Sequence, residues 1–303
     1  MTNTASTATV STTASPARAR STAQVVDPVR TFEGAGFPVR RPFPVAALPH
    51  LDPFLMVDQT GPLDLAPGEA KGAPDHPHRG FQAVSYVIEG AMAYADSTGA
   101  RGVTEQGAAQ WLTAGSGILH ANEPVAELLE HGGRQHQVQV WVNLPARLKT
   151  LPASAQDHGP ADIPVVRTPD GSSIKVLAGR THGVEGPFRP HTPVLLVHAE
   201  LPAGGTAEFT VPAGHNAGVL VLSGAAALPD AALADGQFAV LAGDGERITV
   251  SAPEVPASLL LLAGEPIGEP IVRSGPFVMN TAEEIRQAQA DFQAGRFGSI
   301  PPA

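Results

Sequence analysis

A strand–glycine–strand segment occurs once in each half of this chain, and that repetition restricts the folds open to it. Residues 83–94 read AVSYVIEGAMAY, and residues 218–228 read GVLVLSGAAAL. A short glycine turn follows each copy, AGSG at 114–117 and AGDG at 242–245. The copies lie about 130 residues apart, as expected when one supersecondary plan is used twice. The repeat predicts two β-rich domains of the same design.

The composition favours many short strands joined by turns. The chain has 303 residues, with 32 glycines and 30 prolines that follow no collagen-like period. Hydrophobic residues make up 43%, which is enough to fill a sizeable core. Helix-period stretches are scarce, so we predict an all-β fold, and the length fits one large domain or two ordinary ones.

Charge and cysteine content exclude several classes of function. The formal net charge of −10 predicts a surface that repels phosphate backbones, which argues against direct binding of nucleic acid. The absence of cysteine removes disulfides, thiolate ligands and cysteine nucleophiles, so a metal would need nitrogen or oxygen ligands. No apolar run reaches the length of a membrane span, and no signal-peptide pattern is present, which together predict a cytoplasmic protein.

Shifts in composition divide the chain into four predicted segments. Residues 1–25 are dominated by Ser, Thr and Ala without apolar periodicity, which indicates a disordered tail. Residues 26–150 contain the first copy and form the predicted N-terminal domain. Residues 151–190, rich in Pro, Gly, Asp and His, indicate a connection with one strand at 174–178. Residues 191–303 contain the second copy and the C-terminal end.

A helix start is predicted near the C-terminal end. Thr281 is followed three residues later by Glu284, which is the pattern of a capping box. A helix of about a dozen residues should follow and end near Phe292. We expect this helix to serve structure rather than catalysis.

The candidate site begins with two histidines one residue apart. Residues 75–81 read DHPHRGF, and in a β-strand His76 and His78 would point to the same face. A third histidine, His120, follows the first glycine turn within residues 111–124, WLTAGSGILHANEP. Three imidazoles converging inside one domain would form a site for a first-row transition metal. The alternative for each histidine is an ordinary hydrogen-bonded imidazole in a half-buried position.

The second copy lacks these histidines. Aligning the strand–glycine–strand segments places Thr210 and Pro212 at the positions of the HxH pair. Aligning the glycine turns places Ile248 at the position of His120. We therefore predict that the C-terminal domain carries no metal at the equivalent place and serves packing or partner contact.

Four motifs of the N-terminal half resemble those of the pirin family, a branch of the cupin superfamily: HPHRGF, YVIEG, QWLTAGSGILH and WVNLP. The resemblance runs from about residue 29 to about residue 298 and includes LDPFLMVD at 51–58 and GPFVMNTAEEI at 275–285. It implies two tandem cupin barrels (double-stranded β-helices, or jelly rolls) and a short C-terminal helix that packs back across the other barrel. It also implies a monomer.

The resemblance further implies a metal shell of three histidines and one carboxylate, a set suited to iron. Pirins usually place the glutamate two residues after the third histidine, where this chain has Asn122. The nearest carboxylate, Glu123, is displaced by one residue, and such a step reverses side-chain direction in a regular strand. Glu123 would reach the site only if the backbone bulged. The fourth ligand is left open between Asn122 and Glu123, with water as a further option.

A second departure from the family concerns the position after HPHRGF. Many cupins use a carboxylate there as a metal ligand, whereas this chain has Gln82. Because a neutral amide oxygen is a weaker ligand for a hard divalent ion than a carboxylate, we expect lower metal affinity or a different resting metal than the family norm. Fe(II) is the first expectation, and Mn, Ni, Cu and Zn are the alternatives.

Other residues near the motifs have two interpretations each. Arg79 could attract an anionic substrate, or it could pair with Glu89 or another carboxylate. His136 is expected at the rim or the surface. Trp111 and Phe81 could line the pocket, although aromatic residues at such places usually belong to the core.

The resemblance supports functions of different classes. In the first, the chain is a dioxygenase that opens quercetin or a related small aromatic with O2, and Glu123 serves as a ligand or as the general base if it faces inward. In the second, it is a regulatory protein that contacts a partner in transcription or metabolism, with the metal as a redox sensor or structural support. A third interpretation is a bicupin whose metal site has decayed. A metal position facing a pocket for a bicyclic aromatic would favour the enzyme.

Overall fold

The chain forms two β-barrels of the same topology and a short helix at the C-terminal end, which confirms the predicted all-β tandem-cupin architecture. The structure, a computed structural model, describes residues 18–302.

The N-terminal half contributes most of the first barrel. In chain order its strands are β1 (Thr22–Val26), β2 (Val29–Glu33), β3 (Phe37–Phe43), β4 (Phe54–Leu65), β5 (Ala73–His78), β6 (Phe81–Glu89), β7 (Met92–Asp96), β8 (Arg101–Thr104), β9 (Ala109–Thr113), β10 (Ile118–Pro124), β11 (Gly133–Asn143) and β12 (Ser154–His158). A short helix, α1 (Ala126–His131), lies between β10 and β11, and a single 3-10 turn covers Ala146–Leu148.

The C-terminal half contributes the second barrel and the end segment. Its strands are β13 (Val165–Arg167), β14 (Ser173–Ala178), β15 (Arg180–Thr181), β16 (Val184–Glu185), β17 (Val194–Leu201), β18 (Gly205–Thr210), β19 (Asn216–Gly224), β20 (Ala226–Leu228), β21 (Ala231–Leu233), β22 (Phe238–Leu241), β23 (Arg247–Ala252), β24 (Ala257–Gly264), β25 (Val272–Ser274) and β26 (Phe277–Met279). The chain ends in helix α2 (Ala282–Gln293).

Each barrel is built from one seven-stranded sheet and one four-stranded sheet. The large sheets have the orders β12-β9-β6-β11-β4-β3-β2 and β1-β22-β19-β24-β17-β14-β13. The small sheets have the orders β5-β10-β7-β8 and β18-β23-β20-β21. Apart from the edge strands β12 and β1, the second pattern reproduces the first in chain order, so the repeat detected in the sequence extends over whole domains.

The large sheets pack against each other through one face and enclose the barrel interiors with the other. In β6, Val84 and Tyr86 join the core between the barrels, whereas Ser85 and Val87 line the interior of the N-terminal barrel. This division follows from the two-residue period of a strand. The Tyr86 hydroxyl also lies 2.7 Å from Nδ1 of His198 in the opposite sheet, so the apolar contact is supplemented by a buried polar one.

The two ends of the chain are exchanged between the barrels. Strand β1 pairs with β22 and so completes the C-terminal barrel. The hairpin β25–β26 instead reaches the N-terminal barrel, where Arg79 and Phe277 form a parallel bridge and the amide of Val278 donates to the Arg79 carbonyl at 3.0 Å. The expectation that the C-terminal segment packs across the other barrel therefore agrees with these contacts.

Two predicted segment boundaries need correction. Residues 18–25 of the predicted disordered tail are folded, because they include most of β1 and the buried Arg20, whose guanidinium donates to the carbonyls of Pro212, His215 and Gly245. The rest of that prediction lies outside the described residues. The predicted connection, 151–190, contains edge strands of both barrels, since β12 extends the first large sheet and β13–β14 end the second.

The predicted helix start is present. Thr281 Oγ1 accepts from the amide of Glu284 at 3.2 Å, and Glu284 Oε2 accepts from the amide of Thr281 at 2.9 Å. The two bonds form a complete capping box at the start of α2. Within residues 18–302, neither helix has the length and apolar character needed to cross a membrane.

Candidate metal centre

Two paired strands of the small N-terminal sheet bring the three predicted histidines together. Strands β5 and β10 are antiparallel, with His76 opposite His120 and His78 opposite Ile118. One ring nitrogen of each histidine lies within 4.8 Å of the corresponding atoms of the other two. The ring centres of His76 and His120 are 4.2 Å apart, and that of His78 is 4.7 Å from each. Such a cluster can hold a divalent metal ion.

The motif after the second histidine anchors this strand to the C-terminal segment. Gly80 has φ of +88°, and a Cβ there would lie 2.0 Å from the carbonyl oxygen of Val278. Only glycine fits this turn and this close approach. The buried Lys149 completes the junction, because its Nζ donates to the carbonyls of Gly80 at 2.6 Å and Val278 at 3.0 Å and to Oδ1 of Asn143 at 2.6 Å. Sequence reasoning did not identify Lys149.

The chemistry of the donor atoms fits a cation. Both ring nitrogens of His78 and of His120 are buried, and none has a hydrogen-bond partner among residues 18–302. His76 differs, since its Nδ1 lies 2.7 Å from the Pro74 carbonyl, which leaves Nε2 free to face the cluster. Buried polar atoms without partners destabilise a fold, so three converging imidazoles with free nitrogens are better explained by a metal than by packing.

Burial lowers the pKa of all three imidazoles. It is the main cause at His76, where the hydrogen bond with Pro74 opposes it. Burial holds the pKa of His78 and of His120 well below the usual range, and the neighbouring imidazoles lower each further. The backbone of Pro276 partly opposes the shift in the pKa of His78, although its carbonyl makes no hydrogen bond of standard geometry with either ring nitrogen. The rings are therefore neutral at physiological pH, which is the state that binds metals.

The structure separates the two candidates for the fourth ligand. Strand β10 pairs regularly with β7 from His120 to Pro124, so Asn122 shares the face of His120 and Glu123 takes the other. An extra residue in β10 would have turned Glu123 inward. The β-bulge between these two strands instead has its extra residue in β5, between Ala73 and His76.

The surroundings of the two side chains agree with this assignment. Oδ1 of Asn122 is buried without a hydrogen-bond partner in the described part of the chain, and the residue lines the same cavity as His76 and His78. Glu123 is exposed, with its carboxylate against Gly72. Its position therefore does not fit the expected role of ligand or of general base.

Gln82 also lies away from the histidines. It is fully buried on the inter-barrel face of β6, where Nε2 donates to Thr113 Oγ1 at 3.2 Å and Oε1 accepts from the amide of Thr192 at 3.4 Å. Gln82 thus links the first barrel to the segment that enters β17. The expectation that this amide weakens the metal shell is not supported by its position.

A cavity of about 520 Å³ opens onto the histidine cluster inside the N-terminal barrel. This volume lies within the range of pockets that bind drug-sized ligands. Its wall combines polar and apolar side chains from the large sheet: Met56, Asp58 and Thr60 of β4, Ser85 and Val87 of β6, and Gln137, Gln139 and Trp141 of β11.

Aromatic rings form the wall behind His78. The ring of Trp141 lies 5.2 Å from that of His78, edge to face, and is stacked on Phe81 at 4.1 Å. Phe81 itself is fully buried beside His78. Of the two aromatic residues considered from the sequence, Trp111 is instead buried between the barrels. Trp141 was visible in the sequence only as part of the WVNLP motif.

Arg79 and His136 have structural roles. Arg79 Nη1 lies 2.5 Å from Oδ2 of Asp291 in α2, so its charge is neutralised by the C-terminal helix rather than by Glu89. His136 is buried between the barrels, not at the rim, and its Nε2 lies 2.8 Å from Nε2 of Gln59. Burial lowers the pKa of His136 to about 4, so it is neutral at physiological pH.

The equivalent place in the C-terminal barrel is apolar. Phe209 pairs with Ile248 as His76 pairs with His120, and both belong to a buried hydrophobic cluster with Val211. The sequence alignment, which placed Thr210 and Pro212 at the histidine positions, is wrong by one residue. The segment between Phe209 and the turn after β19 is one residue longer than its counterpart, and a one-residue shift moves a side chain to the other face.

A bicupin with a three-histidine cluster in its first barrel is the class of protein that this fold and site define. The chain belongs to the pirin family: the family model described as "Pirin" matches residues 36–142, and the model "Pirin C-terminal cupin domain" matches residues 196–298.

Relatives extend over almost the whole chain. A Pseudomonas aeruginosa protein named "Putative quercetin 2,3-dioxygenase" is 42% identical over 271 residues, which are 88% of this chain and 94% of that protein. Human pirin is 38% identical over 272 residues, covering 88% of this chain and 90% of its own. A crystal structure of quercetin 2,3-dioxygenase from Acinetobacter baumannii superposes with a TM-score of 0.88 at 36% identity, covering 94% of this chain and 100% of that one.

Proposed function

We propose that this protein is a metal-dependent dioxygenase that acts on a flavonol or a related small phenolic. His76, His78, His120 and Asn122 would hold a divalent metal. The observation that carries the proposal is the position of the cluster: buried imidazoles with free nitrogens lie at the wall of a cavity of about 520 Å³. A purely structural metal would not need such a space beside it. The names of two relatives, quoted above, agree with this reaction class.

A metal in this shell would polarise the oxygens of the substrate and bring the substrate and O2 together. Imidazole nitrogens and an amide oxygen form a set of intermediate hardness, so Fe(II) is our first candidate and Mn, Ni, Cu and Zn are the alternatives.

The cavity wall would bind and orient an aromatic substrate. Trp141, stacked on Phe81, lines the cavity beside the histidines. Gln137 and Gln139 add amide groups on the same strand, of which Gln139 Oε1 accepts from Trp141 Nε1 at 3.1 Å. Polar groups placed at fixed points of a pocket wall determine the orientation of a small ligand.

Glu33 is our candidate for the base that takes the substrate hydroxyl proton. Asp58 also lines the cavity, but both of its oxygens accept from Arg41. Glu33 uses only Oε1 on Arg41, and its side chain is 42% exposed at the cavity. Its second oxygen is therefore available for proton transfer. Glu33→Gln should lower kcat with little change in metal content.

Elemental analysis of the untagged protein tests the first half of the proposal. We expect about one equivalent of metal, lost in His76→Ala and His120→Ala. His215→Ala is the control, because this histidine lies between β18 and β19 of the C-terminal barrel and its side chain makes no hydrogen bond or ion pair among residues 18–302. Absence of bound metal, with no uptake after anaerobic addition of Fe(II), would contradict the proposal.

Oxygen uptake with quercetin tests the second half. Activity that follows metal content across the variants would support dioxygenase chemistry. A protein that binds the metal but consumes no O2 with flavonols or simpler phenolics would favour the regulatory alternative, in which the same site senses redox state and a protein partner reads it. The cytoplasmic location stays a prediction.

A further inference from the structure

Two arginines line the cavity, and among residues 18–302 only one of them has a carboxylate partner. Arg41 of β3 binds Asp58 through Nε at 2.7 Å and through Nη2 at 2.5 Å, and Nη2 also lies 2.5 Å from Glu33. Its charge is therefore fully compensated. Arg273 of β25 forms no ion pair with any carboxylate in the described part of the chain.

The free guanidinium is held in place by apolar and aromatic neighbours. The guanidinium carbon of Arg273 lies 4.7 Å from the centre of the Trp141 ring, which is a cation–π contact. One terminal nitrogen lies 3.9 Å from the sulfur of Met56. Burial against these groups lowers the pKa of Arg273, and the charge of Arg41 lowers it further, although an arginine stays protonated throughout the physiological range. The cation is thus fixed without being neutralised.

The ring of Trp141 lies between Arg273 and the histidine cluster. The same Trp141 ring that carries the guanidinium lies 5.2 Å from the ring of His78. All three residues line the same cavity. Phe81 and Arg273 cover the two faces of the Trp141 ring, so a flat ligand would lie in the cavity beside this ring, with one end toward the imidazoles and the other toward the guanidinium.

We propose that Arg273 binds a carboxylate on the aromatic substrate and so sets the specificity of this pocket for aromatic acids. The inference rests on the proposed function for the reacting end of the ligand, but the anion site stands on its own geometry. A planar guanidinium offers paired N–H donors that match a carboxylate, which a lysine ammonium does not. Glu33 and Asp58 lie close enough to influence Arg273, yet their direct contacts are with Arg41, so they leave the Arg273 donors to a ligand.

The test compares naphthoate with its neutral methyl ester by titration calorimetry, on metal-loaded and metal-free protein. We expect the acid to bind about tenfold more tightly than the ester, as for one charge-assisted pair in a partly desolvated place. Arg273→Gln should remove this preference and leave the affinity for the ester unchanged. Arg273→Lys should keep part of the preference, because the charge remains while the paired donors are lost.

Arg286→Gln is the control, since Arg286 is exposed on α2 and pairs only with Glu283. A preference for the acid that survives in Arg273→Gln would overturn the inference, and so would equal binding of acid and ester, or binding of neither, by the unmodified protein. Because a carboxylate can itself coordinate a metal, the metal-free protein gives the decisive comparison: a preference lost there in Arg273→Gln supports the anion site even if the protein proves to have no dioxygenase activity. Conversely, an active enzyme without the preference would leave the proposed function intact.

Discussion

The two barrels of this protein share the order of their strands, apart from the edge strands β12 and β1, and differ in what fills them. In the N-terminal barrel, strands β4, β6 and β11 point Asp58, Ser85 and Gln139 into a cavity. In the C-terminal barrel, the corresponding strands β17, β19 and β24 point apolar residues into a closed hydrophobic cluster that includes Val197, Val219 and Leu261. Both large sheets contribute apolar side chains to the core between the barrels.

The difference separates residues that maintain the fold from residues that serve the site. Backbone hydrogen bonds between the strands and the apolar core between the large sheets maintain the double barrel, so the residues inside each barrel can change without loss of the fold. The interior of the C-terminal barrel contributes stability through apolar burial. The interior of the N-terminal barrel keeps polar groups and space, which cost stability and are retained at functional sites.

The largest expected effect comes from giving the first barrel the interior of the second. In a double variant, His76→Phe and His120→Ile copy the residues at Phe209 and Ile248. Metal binding should be lost completely, as two ligands are removed. The free energy of unfolding of the metal-free protein should stay equal or rise by about 1–3 kcal/mol, because the buried imidazole of His120, which has no partner among residues 18–302, and the half-buried imidazole of His76 are replaced by apolar groups.

Thermal unfolding of metal-free samples, with metal content measured in parallel, checks this prediction. His76→Ala with His120→Ala serves as the comparison, since it removes the ligands without filling the space. A double variant that is much less stable than the unmodified metal-free protein would show that the imidazoles contribute to stability. The proposal that the polar interior of the N-terminal barrel costs stability would then be wrong.

A matched pair of valines tests the packing of the two interiors. Val87 and Val219 lie on corresponding strands and are each 1% exposed, but Val87 borders the cavity whereas Val219 lies within the hydrophobic cluster. Val219→Ala should cost about 2–3 kcal/mol and Val87→Ala about 1 kcal/mol, since methyl groups beside an existing cavity have fewer contacts to lose. Equal losses in denaturant unfolding would mean that the first barrel is as tightly packed as the second.

Much of this contrast could be read from the sequence. The repeated strand–glycine–strand segment and the two glycine turns predicted two domains of one design, and the spacing of His76 and His78 predicted a shared face. Period-two patterning specifies which side chains share a face, so the imidazole cluster followed once His120 was placed on the neighbouring strand.

What the sequence could not supply depends on register and on distant contacts. Asn122 faces the site because the bulge lies in β5, and Glu123 would face it if the bulge lay in β10. The spacing of residues in the sequence does not show which strand carries a bulge. The positions of Phe209 and Val211 were missed because a loop is longer by one residue. Arg273 and Lys149 reach the site from segments far away in the chain, and their types alone indicated surface residues.

A smaller effect is expected at the contact between the barrels, where a lower pH should reduce the free energy of unfolding. Burial lowers the pKa of His198 to about 3, and the charge of Lys175 adds to the shift. The neutral ring fits its neighbours, with Nδ1 2.7 Å from the Tyr86 hydroxyl and Nε2 2.8 Å from Ser258 Oγ. The unfolded chain binds a proton below its ordinary pKa of about 6.5 whereas the folded one does not, so stability falls as pH drops through that value and levels off near pH 3.

At pH 5 this histidine should reduce the free energy of unfolding by about 2 kcal/mol relative to pH 7. His198→Gln should remove that part of the pH dependence, because a glutamine can still contact Tyr86 and Ser258 without titrating. His191→Gln, at an exposed loop position, is the control. If His198→Gln leaves the difference between pH 7 and pH 5 unchanged, His198 is already solvated and the barrel contact is looser than the structure indicates.

The smallest effect concerns the exchanged C-terminal segment, which packs on the N-terminal barrel. Helix α2 places Ile285 and Ala288 against Phe277 and Phe297 in a small buried cluster. Thr281→Ala removes the capping bond to the amide of Glu284 and should cost about 1 kcal/mol. Because α2 contacts the loop that follows the HxH motif, amide exchange should rise in α2 and in β25–β26 but not in the core strands of the C-terminal barrel.

Thr206→Ala is the control for this variant, since Thr206 is exposed on β18 and its side chain makes no hydrogen bond within residues 18–302. Faster amide exchange confined to β25–β26 and α2 would show that weakening this segment leaves the stability of the C-terminal barrel unchanged. Faster amide exchange in both barrels would show instead that the core between the barrels couples their stabilities. The two barrels would then form one cooperative unit, and a destabilising change in either barrel would also destabilise the metal site.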